Sequence, residues 1–97
     1  MTMLNLSGSI TSGGVAQTLS AARAGIPRKG WSIQNTSAGN LYVNDIGSSA
    51  STSDGLSYVI VPGAMLAINP QSTESVSQSS ISIIGATTGQ TFVAREW

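Results

Sequence analysis

Few side chains in this chain can do chemistry. Four carboxylates, Asp45, Asp54, Glu74 and Glu96, balance four cations, and neither histidine nor cysteine occurs in the 97 residues. Two carboxyls ~5–10 Å apart can share acid and base work on a glycosidic bond. The spacing of these four pairs none of them, and each falls at a strand end or in a polar loop, where a solvated turn residue is the plainer reading. Asp45 and Asp54, with the serines between them, could offer oxygen ligands to calcium, yet the loop lacks the D-x-D spacing of a calcium loop and reads as turn capping. Without His or Cys, the Ser-His-Asp and Cys-His nucleophile systems are excluded, and so are most zinc, copper and haem sites. The glycines at 8, 13, 14, 85 and 89 precede no Lys-bearing helix, so they do not form a phosphate cradle. No catalytic, metal or cofactor residue is therefore assigned.

The densest cluster of cationic and aromatic residues is RKGWSIQNTSAGNLYVND, residues 28–45. Arg28 and Lys29 beside Trp31 could grip nucleic acid by charge and stacking. Two cations in a chain of zero net charge fall short of the electrostatic footprint that such binding needs. A capped strand start beside a core tryptophan explains the stretch better, with Arg28 and Lys29 free to meet a neighbouring subunit.

The elements that position these residues read as strands. Apolar positions recur with period two, punctuated by Gly, Pro, Asn, Asp and Ser, as expected of a small antiparallel β-sandwich or jelly-roll-like barrel. About seven strands are expected: one weak strand over 2–6 and three hairpins, 30–35 with 41–45, 56–61 with 64–68, and 80–86 with 90–96. Residues 1–14 read as an N-terminal arm or edge strand, and 15–97 as one sandwich domain. A single helical turn is expected over 20–24, and polar surface loops over 46–55 and 69–80. In the first hairpin Trp31, Ile33, Leu41 and Val43 share the inner face, as Ile81, Ile83, Phe92 and Ala94 do in the last. Tyr42, Ile84, Val93 and Trp97 then fall on the outer face, where apolar side chains are often covered by another subunit.

Charged residues make up only 8% of the chain against 40% hydrophobic ones, far below the ~25% charged share of ordinary domains. A neutral, hydroxyl-rich surface of this kind suits coverage by other protein. The start, MTMLNLSGSI, has no basic region followed by an apolar run, and no stretch has the ~18 apolar residues of a spanning helix. Synthesis in the cytosol is expected, with no membrane partner, and the sequons at Asn5 and Asn35 are expected to stay unmodified.

Three segments, GGVAQTLSAARAGIPRKGWSIQNTSAGNLYVNDIG, SYVIVPGAMLAINP and SISIIGATTGQTFVAREW, stand in the order that a family of small virion-associated proteins of tailed bacteriophages displays. The chain resembles that family in its R-x-G-x-x-I-Q-N-x-S strand and turn, its PG hairpin and its IxGxTxGQxFxAxEW ending, over positions 13–97. The resemblance implies a β-sandwich located in the virion and present in many copies, without catalysis or cofactor. It also implies contact with the major capsid protein or another virion protein, and a homo-oligomer, with a trimer favoured. A capsid decoration or cement protein is the role expected first, a neck, tail or fibre-base adaptor second. A carbohydrate-binding module using Trp31, Tyr42, Tyr58 and Trp97 is a distant third. On the first two readings Arg28, Lys29, Tyr42 and Trp97 are the candidate interface.

Overall fold

Alternation of this kind demands two sheets with their apolar faces together, and that is what forms. The structure, a computed structural model, describes residues 3–53, 55–68 and 76–97. The fold is all-β, with nine short strands among the described residues: β1 (Leu4–Asn5), β2 (Gly8–Ser9), β3 (Gln17–Ser20), β4 (Trp31–Asn35), β5 (Leu41–Asn44), β6 (Tyr58–Ile60), β7 (Met65–Ile68), β8 (Ile81–Gly85) and β9 (Thr91–Glu96). One sheet, sheet A, runs β1-β9-β4-β7 with β2 also on β9, and the other, sheet B, runs β3-β8-β5-β6. Every pairing is antiparallel.

The topology is a jelly roll. The chain pairs with itself as four nested ribbons, β1 and β2 with β9, β3 with β8, β4 with β7, and β5 with β6. Rolling these ribbons adds the contacts β4–β9 and β5–β8. The nine strands are eight when β1 and β2 count as two pieces of one edge.

The three expected hairpins are not hairpins. In each, the first and second strand lie in different sheets, so 36–40, 61–64 and 86–90 are arches across the sandwich. The inner-face pattern is the same either way, because strands of an arch, like those of a hairpin, turn their apolar side chains to one interior. The expected core is accordingly buried: Trp31, Ile33, Leu41, Val43, Ile81, Ile83, Phe92 and Ala94 are all at most 5% exposed, joined by Ile10 and Ile60. Each buried Val, Leu, Ile or Phe among them contributes about 1.5–3 kcal/mol of transfer free energy.

Buried amides shape the arches. Asn35 is fully buried; its Nδ2 donates to the carbonyls of Gly39 and Ile60, both at 2.7 Å, and its Oδ1 accepts from Ser37 N and Oγ. All four of its hydrogen-bonding positions are thereby used. Gln90 ties the same arch to the last one, donating to Ser37 Oγ and Asn40 O and accepting from Thr87 N. The Pro62–Gly63 turn takes a type II form, with Gly63 at φ 81° and Ala64 N donating to Val61 O.

Two other expectations change, the helical turn over 20–24 and the wet position of Ile84. No helix occurs among the described residues; 21–24 is irregular, since it returns the chain between sheets instead of continuing along one. Residues 4–10 form an edge strand of the chain's own sheet: Leu6 and Ile10 donate to Ala94 and Gln90 carbonyls, and Ile10 is 1% exposed. The loop after β5 crosses the outer face of sheet B, where Ala50 N donates to Ser82 Oγ, and Ile84, expected on a wet face, is buried. Of the expected loop over 69–80, residues 69–75 lie outside the described residues.

Candidate functional site

Three of the four candidate interface residues meet at one corner, where the return segment 21–30 reaches the start of β4. Gly25, at φ 94°, lets the segment reverse. Lys29 N and Gly30 N both donate to Trp97 O, and Trp97 N donates to Gly30 O, so the last residue is bonded to the segment entering β4. Gly30 is required there: a Cβ would stand 2.7 Å from the Trp97 indole and 2.8 Å from Ile68 O. Trp97 is half-buried as a result, and Lys29 is exposed beside it.

Arg28 does not face a neighbour, contrary to the expectation for it. Its side chain is fully buried, and all five guanidinium N–H donors are used. Nε donates to Glu96 Oε2 at 2.8 Å, Nη1 to the carbonyls of Ser77 and Ser79, and Nη2 to Ser20 Oγ and Ala21 O. Its backbone is clamped as well, with Arg28 N donating to Gln78 Oε1 at 2.6 Å and Gln78 Nε2 donating to Arg28 O at 2.7 Å. The reason is steric and electrostatic: an arginine entering a closed sandwich end survives burial only if its charge and every donor find partners.

Glu96 supplies the charge. It continues the inner alternation of Phe92 and Ala94 and is 2% exposed. Oε2 also accepts from Ser20 Oγ, and Oε1 accepts from Arg23 Nη1, both at 2.8 Å. Burial pushes its carboxyl pKa up, but the hydrogen bonds from Arg28 and Ser20 and the charges of Arg28 and Arg23 outweigh this and hold it below the ordinary carboxylate value. A carboxylate so engaged has no proton to give at neutral pH and no open side. Glu96 is therefore a clasp between β3, β9 and the return segment, where sequence reasoning placed a solvated strand-end residue. The signal was present in the alternation 92, 94, 96, which aims Glu96 inward.

Tyr42 lies elsewhere, half-buried on the outer face of sheet B between Val59 and Ile84. At the end of the sandwich opposite the clasp, the 36–40 and 86–90 arches border an open depression of about 360 Å³ lined by Ser37, Gly39, Thr87, Thr88, Gln90 and Thr91. It offers hydroxyls and an amide already engaged, and no charged side chain. Among the described residues no group of three His, Cys, Asp or Glu side chains could hold a metal ion, and no helix is long and apolar enough to cross a membrane.

What the surface does offer is apolar. Among the described residues eleven large hydrophobic side chains are 37–79% exposed, Ile26 at the clasp corner and Leu56, Tyr58, Val59, Val61 and Met65 along one side among them. No family model, curated protein or solved structure matches the chain.

Proposed function

We propose that this protein is a non-enzymatic structural component of a bacteriophage particle, a decoration or cement protein that binds between capsid subunits and stabilises the shell. One observation carries the reading beside the sequence resemblance: eleven large apolar side chains among the described residues stand exposed, on a chain with 8% charged residues. Such a surface is costly to leave in water and suits burial against other protein. A protein that binds only the assembled shell shifts the assembly equilibrium toward it, and symmetry multiplies a modest contact over many copies. Lys29, Trp97 and Ile26 at the clasp corner, and Tyr42 on sheet B, are the side chains through which contact would be made. Arg28 would act there indirectly, by holding the segment that carries Lys29.

Sugar binding is disfavoured by where the aromatics sit. Trp31 is inside the core and Trp97 lies against Gly30, while Tyr42 and Tyr58 are on and beside sheet B, so the two tryptophans form no exposed stacking pair. The test is the copy number in purified particles, by quantitative gel densitometry against the major capsid protein. A number equal to the capsid protein's, or a simple fraction of it, supports decoration. About a dozen copies would make the protein a neck, tail or fibre-base adaptor instead. Absence from particles, with glycan binding by the isolated protein, would sink both.

A further inference from the structure

A sandwich of two open sheets has four edges, and this chain treats them unequally. The N-terminal edge is broken into two-residue pieces, β1 and β2, separated by Leu6 and Ser7. The β3 edge carries a register shift between Thr18 and Ser20. Interruptions of this kind are how edge strands discourage pairing with another chain. The other two edges, β6 and β7, lie side by side, joined by the 61–64 arch, and their registers against β5 and β4 run without a shift. Charged side chains are the other usual guard, and residues 55–68, GLSYVIVPGAMLAI, contain none. Proline is present only in the turn.

The apolar surface concentrates there too. Leu56, Tyr58, Val59, Val61 and Met65 are 47–64% exposed. Val59 faces out from sheet B and Met65 out from sheet A, so they flank the seam on both sides. Tyr58 occupies an inner position, opposite Val43, yet is half exposed, and inner Leu66 is only partly covered. The interior is thus open along this side.

We infer that the β6–β7 side is where a second copy of this chain docks, edge to edge about a twofold axis. A strand that pairs with its own copy does so antiparallel and isologously, each residue meeting the same stretch of the partner. Self-docking of that kind forbids like charges at the seam, and an uncharged stretch of this length meets the condition. About half of five large side chains at roughly 150–200 Å² each exposes on the order of 450 Å² per copy, so two copies with the strand backbones approach the ~1,200 Å² of a small stable interface. This deepens the reading above by naming the surface on which copies meet; a threefold cluster needs a further contact.

The experiment is sedimentation velocity on the purified full chain from about 1 μM to about 1 mM, where a weak standard interface associates. Wild type is expected to double its mass reversibly. The double variant Val59→Lys/Met65→Lys, changed only at exposed positions, is expected to weaken association at least ~10-fold, while Ile26→Lys, at the clasp corner, stays within ~2-fold of wild type. In parallel, hydrogen exchange of wild type is expected to slow over 56–68 as concentration rises, a readout that needs no variant to fold. A wild type that stays monomeric throughout overturns the inference, as does a Val59→Lys/Met65→Lys variant that associates like wild type or an Ile26→Lys variant that alone dissociates. No particle enters the measurement, so a negative result removes the edge contact and leaves shell binding to the copy-number test.

Discussion

Replacing Arg28 by Met keeps most of the stem volume and removes one buried charge with five donors. The change leaves Glu96, 2% exposed, with Ser20 and Arg23 as its remaining partners, and strips the Ala21, Ser77 and Ser79 carbonyls of theirs. Breaking a buried pair from one side costs about 3–5 kcal/mol, mostly because the other charge stays buried. In a domain of this size each kcal/mol lowers Tm by about 4–8 °C, so the expected fall is on the order of 12–40 °C. Urea unfolding at 25 °C, followed by tryptophan fluorescence, measures the free energy directly. The double variant Arg28→Met/Glu96→Gln should recover part of the loss, because the buried charge left with Arg23 as its one cationic partner is gone; the shortfall from additivity is the coupling. The pH dependence checks the same clasp independently. The folded pKa of Glu96 lies below its unfolded value. Its contribution is therefore complete above the unfolded carboxylate pKa, ~4.3, and is lost as pH falls through that value toward the folded one. Wild type should lose stability across that acid window, and Glu96→Gln should show a flatter profile there from a lower neutral-pH plateau. A cost for Arg28→Met under ~1 kcal/mol, with an unchanged acid profile in Glu96→Gln, would refute the clasp, because a salt bridge worth that little behaves as an exposed one.

Three further outcomes test the fold. Asn35→Asp should destabilise more than Asn35→Ala at pH 7, because a carboxylate can only accept and would face the Gly39 and Ile60 carbonyls at 2.7 Å; the gap should narrow as acid protonates it, and equal urea midpoints for the two would count against the buried amide post. Gly30→Ala should cost about 1–3 kcal/mol and shift Trp97 emission, since the added Cβ meets the indole at 2.7 Å and the Ile68 carbonyl behind it. Ile10→Ala should cost about 2–5 kcal/mol in urea unfolding, as a core truncation does; a near-neutral result would make residues 3–10 a loose arm after all.

The period-two pattern made the strand positions and the inner face readable, because burial acts on each strand separately and leaves its mark at every second residue. Sheet membership was not readable from the same residues. Trp31, Ile33, Leu41 and Val43 point inward whether 36–40 folds back within one sheet or crosses to the other, and the deciding contacts, such as Asn35 with Ile60, are 25 positions apart. The candidate site failed in a different way. Arg28 and Lys29 are neighbours in sequence with one charge each, yet one is fully buried and the other exposed: Gly30 and Trp31 are both buried, so the period-two phase of β4 shifts just before the strand, and Arg28 is turned inward where Lys29 would have been expected. Burial of Arg28 depends on Ser20, Ser77, Ser79 and Glu96, which only the roll brings together. Glu96 was the legible half of that pair, since its inward direction follows from Phe92 and Ala94, but a carboxylate aimed at a core makes sense only once its arginine is placed.

The clasp also determines what kind of assembly the surface can support. Arg23 and Arg28 are both engaged with Glu96, so among the described residues Lys29, Asp45 and Arg95 are the charged side chains outside the clasp. A surface that sparse gives little electrostatic steering, and association through it should proceed at an unassisted ~10⁵–10⁶ M⁻¹s⁻¹. Whatever covers the β6–β7 side or the clasp corner must then be held by apolar burial, whose strength rises modestly with salt as ions are excluded from the surface. Stopped-flow association rates and equilibrium mass should accordingly change less than about twofold between ~0.05 and ~0.5 M NaCl, a range over which charge-steered contacts weaken strongly. A steep fall with salt would mean that Lys29 and Arg95 meet an acidic surface, and that the few charges left outside the clasp, not the uncharged edge, govern assembly.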